Sequence, residues 1–175
     1  MTNYRRSQVA GGCYFFTLAL ADRQATLLVD RVDLLRESIR TVRARHPFQI
    51  EAMVVMPDHL HCIWTLPDND ADYSTRWNLI KGAFSRGIKS GERRRESRVV
   101  RRERGIWQRR FWEHAIRDED DFNNHVAYIH INPVKHRHVV RAIDWPHSSI
   151  HRHIEQGLCD SSWAAEPFIL DWQLE

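Results

Sequence analysis

Hydrophobic and polar positions change period several times along the chain, and each change marks an element. Tyr14 to Leu20 (Tyr-Phe-Phe-Thr-Leu-Ala-Leu) is rich in aromatic and apolar residues and predicts a strand, with Thr26 to Val29 as its hairpin partner across a polar Asp22-Arg23-Gln24 turn. Val32, Leu35, Ile39 and Val42 then recur at three- and four-residue spacing behind Asp30, a candidate cap, and the pattern stops at Pro47, which predicts an amphipathic helix. Phe48 to Met56 reads as a buried strand, Pro57-Asp58 as a turn and His59 to Leu66 as a second strand, together a tight hairpin. Trp77, Ile80, Phe84 and Ile88 return to helical spacing from about Ser74, with Gly91 as the expected end. Ile106 to Ile116 is aromatic-rich and predicts another strand. Asp118 to Asp121 supply a cap and an acidic first turn for a helix holding Phe122, His125, Val126, Tyr128 and Ile129, expected to end near Asn132 because Pro133 cannot donate to the ladder. Trp145-Pro146-His147-Ser148-Ser149 reads as a short helix, followed by a loosely held tail.

The order β, α, β, β, α, β with a further helix predicts an α+β domain of the ferredoxin-like, split βαβ type, an antiparallel sheet with helices packed on one face. A length of 175 residues fits one domain, and 42% hydrophobic with 28% charged residues excludes wholesale disorder. We expect residues 1–157 to form that domain, with a basic segment at 81–110 inserted, and 158–175 to be a tail. The apolar runs, such as Ala52 to Met56, fall far below the roughly 18 residues that cross a bilayer, and no export signal is visible near the start, so a soluble protein without membrane contact is expected. Three widely spaced cysteines, Cys13, Cys62 and Cys159, suit reduced thiols and a cytoplasmic location.

A net charge of +3 conceals a strong asymmetry: residues 1–80 balance to 0, residues 81–110 to +9 and residues 111–175 to −6. The surplus is mostly arginine, whose planar fork pairs with phosphate oxygens, so a polyanion, nucleic acid foremost, is the expected partner. Lys81, Arg86, Lys89, Arg93, Arg94, Arg95, Arg109 and Arg110 are the candidate contacts, with Lys135 outside the segment. A solvated basic loop is the plainer alternative.

Side chains alternate across a strand, so His59 and His61 point to one face and make half a metal site. Such a pair alone is common. On the third long helix Tyr128 and Asn132 stand one turn apart on one face, so a phenol and an amide carbonyl project together. Two neutral imidazoles and a carbonyl would leave Mg²⁺ or Mn²⁺ with open positions and full charge, and a phenol is a possible nucleophile. Asp58, Glu113 and His114 are candidate proton carriers or structural groups. His136, His138, His147, His151 and His153 fit no zinc framework and read as solvated. Trp107 and Trp112 read either as core aromatics or as stacking platforms for splayed bases, and should point to opposite sides of their strand.

Met56-Pro-Asp-His-Leu-His-Cys-Ile-Trp, Gly105-Ile-Trp-Gln-Arg-Arg-Phe-Trp-Glu-His-Ala-Ile-Arg-Asp, Tyr128-Ile-His-Ile-Asn-Pro-Val-Lys-His and Trp145-Pro-His-Ser-Ser together resemble the REP-associated tyrosine transposases, collinearly from about Tyr4 to Gly157. These are similar to the single-tyrosine transposases of small insertion sequences and belong to the HUH nucleases. The resemblance implies His59, His61 and Asn132 as metal ligands, Tyr128 as nucleophile, and cleavage and rejoining of single-stranded DNA at REP-type hairpins through a 5′-phosphotyrosine. It also implies a monomer, although related insertion-sequence enzymes work as dimers. Arg137 departs from the family's usual glycine, which suggests a looser helix exit. The rivals are a hairpin-binding module whose catalysis has decayed and a metallonuclease that uses water.

Overall fold

The computed structural model describes residues 8–89 and 104–165. Four strands, β1 (Cys13–Ala19), β2 (Gln49–Val55), β3 (His59–Thr65) and β4 (Trp112–Ala115), form one sheet in the order β2-β3-β1-β4 with every pairing antiparallel. The helices are α1 (Leu27–Asp30), α2 (Val32–Arg45), α3 (Tyr73–Gly87), α4 (Glu119–Lys135), α5 (Ile150–Glu155) and α6 (Ser161–Ala165), with a 3-10 turn at Ala142–Asp144. This is the expected α+β class, with the His59-Leu60-His61 strand in the middle of the sheet.

Strand alternation divides the core. Tyr14, Phe16 and Leu18 of β1 and Leu60, Cys62 and Trp64 of β3 face α2 and α3, where Trp64 stacks on Trp77 with ring centroids 3.9 Å apart. Phe15 and Ile63 face the other way, joining Ala52, Val54 and, from α4, Ile129. Helices therefore cover both faces, where a single helical layer was expected: the apolar stripe of α4 can be buried only against a sheet face that α2 and α3 leave open. Arg76 of α3 is buried and forks onto both oxygens of Asp70 at 2.6 and 3.1 Å, while giving further hydrogen bonds to the carbonyls of His46, Pro47 and Asp72.

Several local expectations are corrected. Thr26 to Val29 is not a strand, because β3 and β4 occupy both edges of β1. The segment instead makes a helical turn whose Leu28 is buried, with its N–H donating to the Pro57 carbonyl. Arg31, not Asp30, precedes α2, and Asp30 accepts a hydrogen bond from Thr26 Oγ1. α3 stops at Gly87, where a Cβ would lie 2.6 Å from Leu34 of α2; Gly91 lies outside the described residues. The 106–116 stretch pairs only over β4 and at an isolated bridge between Leu20 and Trp107.

α4 runs through Pro133 to Lys135, past the expected stop. Proline removes one donor, and the exit closes tightly nonetheless: Arg137 N–H donates to the Val134 carbonyl and His138 N–H to that of Pro133, a Schellman pattern with Arg137 at φ 59°. The arginine thus occupies the left-handed position that favours glycine, without loosening the exit.

The segment 145–149 is not a helix but a strap along the free edge of β2. Val55 N–H donates to the His147 carbonyl, Ser149 N–H to that of Met53, and the Trp145 indole to that of Val55. An edge strand's unpaired groups are thereby satisfied. The described part of the expected tail is held, because Trp163 of α6 packs against a cluster of Ile131, Ala142 and Ile150, and residues 166–175 lie outside the described residues. No helix among the described residues is long and apolar enough to cross a membrane.

Candidate active site and metal centre

β3 alternation turns His59 and His61 out together on the α4 side of the sheet, opposite Ala19 and Thr17 of β1, and both are 4% exposed. Their Nδ1 atoms are engaged, His59 with the Asp58 carboxylate at 2.7 Å and His61 with Thr17 Oγ1 at 2.8 Å. Asp58 in turn pairs with Arg23 at 2.8 Å, so its role here is to orient His59. An ionised Asp58 can only accept, so His59 carries its proton on Nδ1, and the same tautomer at His61 would leave each Nε2 a lone pair. Burial pushes His59 below its usual pKa, partly offset by Asp58. His61 lies well below its usual value through burial, then through the neighbouring imidazoles His59 and His136 and the charge of Lys135. Both rings are thus held neutral, as ligation requires.

α4 crosses this face and delivers Tyr128, whose ring centroid is 5.2 Å from that of His61. One turn later the Asn132 amide is fully buried and set against His59, and neither its oxygen nor its nitrogen makes a well-formed hydrogen bond within the described residues. An orphaned buried amide costs about 1–3 kcal/mol. A cation bound by the amide oxygen and the two imidazoles would offset part of that cost, so the donor set fits a hard divalent ion. The Lys135 ammonium sits 5.1 Å from the Tyr128 ring centroid, which places a charge beside the phenol. His136 is exposed, as expected, and its ring also meets His59 edge-on at 5.0 Å between centroids. The four residues singled out from the sequence are therefore brought together.

Other candidates separate. Glu113 is buried on the opposite face, where the Tyr73 hydroxyl donates to it at 3.4 Å, and it has no access to Tyr128. Among the remaining histidines, His153 is buried and bonds the Glu51 carbonyl, and His151 bonds that of Trp145. Trp107 and Trp112 do face opposite ways, although not on one strand: Trp107 is buried against Phe84, whereas Trp112 is 50% exposed on the histidine face. Lys81 donates to the Gln108 carbonyl at 2.8 Å. Arg86, Lys89, Arg109 and Arg110 are exposed. Arg93, Arg94 and Arg95 lie outside the described residues.

The sequence reading missed a group formed by His114, Asp121 and His125. Their potential ligand atoms lie within 4.8 Å of one another, so they could hold a metal ion. Their hydrogen bonds favour a clamp instead: one Asp121 oxygen accepts from His114 Nε2 at 2.8 Å, from the Arg117 backbone at 3.0 Å and from the Arg117 guanidinium at 3.1 Å. Burial pushes this carboxyl up, but those donors outweigh it and hold it well below the usual range. A carboxylate already saturated beside a guanidinium is a poor cation ligand. The i,i+4 spacing of Asp121 and His125 was the one legible signal; His114 joins only through the sheet. A cavity of about 510 Å³ connects this group to the site, walled by Phe15, His61, Trp112, His114, His125 and Tyr128.

Comparison with known proteins adds an independent line. The family model described as "Transposase IS200 like" matches residues 9–132. The chain is 45% identical over 168 residues to the REP-associated tyrosine transposase of Escherichia coli (strain K12), covering 95% of this chain and 93% of that one. It is also similar to a solved structure of a REP-associated tyrosine transposase bound to a REP hairpin, at 43% identity and a TM-score of 0.81 over 98% of this chain and 96% of the other.

Proposed function

The chain belongs to the IS200-like transposases, and within them to the REP-associated tyrosine transposases, and from that premise we propose that it cleaves and rejoins single-stranded DNA at REP-type hairpins, with Tyr128 as nucleophile. The observation that carries this reading is the convergence of Tyr128 and the buried Asn132 amide, from one face of α4, on the paired imidazoles of β3. In this reading the Tyr128 phenol loses its proton and its oxygen bonds to phosphorus. The 3′ oxygen leaves and takes up a proton, so the number of bonds at phosphorus is conserved in a 5′-phosphotyrosine. A 3′-hydroxyl can reverse the step without a further energy source. Lys135 contributes positive charge beside the ring on which phenolate charge spreads. Thr17 and Asp58 hold His61 and His59 by their Nδ1 atoms, which leaves the Nε2 atoms for ligation. A divalent ion, Mg²⁺ or Mn²⁺, held by His59, His61 and Asn132 would polarise the scissile phosphate and stabilise its developing charge.

The exposed Arg86, Lys89, Arg109 and Arg110, with Arg93, Arg94 and Arg95 of the same basic segment, are assigned to the hairpin backbone, where phosphate contacts fix position. Lys135 is the candidate phosphate contact nearest Tyr128. We take residues 1–157 as the catalytic domain, acting as a monomer in the cytoplasm. The presence of all four site residues weighs against a decayed binding module, and the scarcity of carboxylates near the histidines weighs against a hydrolytic route. The test is to incubate the protein with a labelled single-stranded REP-type hairpin and Mn²⁺ and look for a denaturation-resistant protein–DNA adduct. Tyr128→Phe should abolish the adduct and leave binding largely intact; cleavage without an adduct would refute the phosphotyrosine route, and binding without cleavage would favour the module.

A further inference from the structure

Trp112 is the one exposed Phe, Tyr or Trp among the described residues, and it is exposed beside the cavity that contains Tyr128. Leaving half of an indole in water forgoes a large burial gain, which is common where the ring meets a partner. The ring is not loose. β4 pairs Trp112 with Thr17 and His114 with Phe15, so both residues of β4 are fixed on the histidine face. The Trp112 and His114 rings are parallel within 5°, with centroids 5.9 Å apart, and His114 stacks in turn on His125 at 4.9 Å and 17°. Asp121 holds the column from behind, its carboxylate bonding His114 Nε2 and its backbone carbonyl bonding His125 Nδ1 at 2.8 Å. Phe15 closes it edge-on, standing 5.6 Å from Trp112 and 5.9 Å from Tyr128. The cavity lies within the range of small-ligand pockets, roughly 300–1,000 Å³.

We propose that Trp112 is a stacking platform for an unpaired nucleobase adjoining the phosphodiester that Tyr128 attacks, with the Asp121-clamped His114 and His125 rings as the rigid backing that keeps the indole open. This rests on the transposase reading and deepens it by assigning a base subsite. A π-face accepts any base, so the platform supplies affinity and registers the strand without reading sequence, and Arg117, on the same cavity wall, offers a cation for the adjoining phosphate. Trp107, buried under Phe84, has no part in it.

The test uses the full chain and single-stranded REP-type hairpin oligonucleotides. Adduct formation by the wild type first maps the cleaved bond. In Tyr128→Phe protein, 2-aminopurine then replaces in turn each base within two nucleotides of that bond. Its fluorescence should be quenched on binding at one or two of these positions. Adding Trp112→Ala should remove that quenching and weaken binding roughly ten-fold. An abasic nucleotide at the same position should weaken the Trp112-containing protein by a similar factor and leave the alanine variant unchanged. Trp112→Phe, which keeps a ring, should retain part of both effects, and circular dichroism monitors folding. If the wild type forms adduct but quenching survives Trp112→Ala, or the abasic site and the alanine act additively, the platform is overturned and the transposase reading stands. If no adduct forms with any hairpin, both fall together.

Discussion

Replacing Thr17 by valine tests whether the histidine pair is tuned from β1. Valine matches threonine in shape and suits a strand, so the change removes one oxygen from the 2.8 Å contact with His61 Nδ1. His61 is 4% exposed, and two outcomes are open to it. If the proton stays on Nδ1, a buried donor is left unsatisfied at a cost of about 1–3 kcal/mol. If it moves to Nε2, the lone pair facing the cavity is lost. Either way metal affinity falls, and the loss of a partner behind a ligating histidine is typically worth about 10–100-fold, or roughly 1.4–2.8 kcal/mol. Mn²⁺ titration followed by calorimetry should show the dissociation constant of Thr17→Val raised by that factor. Adduct formation should drop at limiting Mn²⁺ and recover at high Mn²⁺. An unchanged dissociation constant in a variant that melts like the wild type would mean that His61 is not a ligand or that Thr17 does not orient it.

Two further predictions concern stability. Arg137→Gly relieves a left-handed residue at φ 59° and should stabilise the protein by about 0.5–1 kcal/mol, read from the denaturant midpoint; a lower midpoint would show that the arginine side chain earns more than the backbone strain costs. His130 is buried, with a pKa pushed down to about 3, first by burial and then by the charges of His153, Arg152 and His151. Its Nε2 lies 3.1 Å from Ser149 Oγ, which accepts from Met53 N–H and still has its own proton to donate to an unprotonated Nε2. Because this histidine takes up its proton more readily when unfolded, the stabilisation is complete above about pH 6.5 and declines as pH falls toward 3. The loss should reach roughly 2 kcal/mol by pH 5. Melting temperatures that stay flat between pH 7 and pH 5 would contradict a neutral, buried His130.

Much of the fold was legible because its signals are local. The alternation of β1 and β3, the helical spacing from Val32 to Val42 and the acidic start of α4 each follow from neighbours within a few residues. The histidine pair and the Tyr128–Asn132 pair were legible for the same reason, since strand and helix geometry fix which side chains share a face. Expectations failed where a distant segment decided the outcome. Thr26 to Val29 lost its strand to β4, which arrives about ninety residues later and takes the edge of β1. α4 passes Pro133 because closing bonds at Arg137 and His138 restore what one missing donor removes.

By itself the chain's order of residues determined the four strands' approximate places, the long helices and the two pairs of groups capable of chemistry, because covalent geometry sets those over short distances. Only the folded arrangement decided that both pairs meet, that Trp107 is buried while Trp112 is open, and that Asp121 grips His114 across the gap between β4 and α4. These depend on which segments compete for a sheet edge or a face, and burial against a distant partner carries no local signature in the sequence.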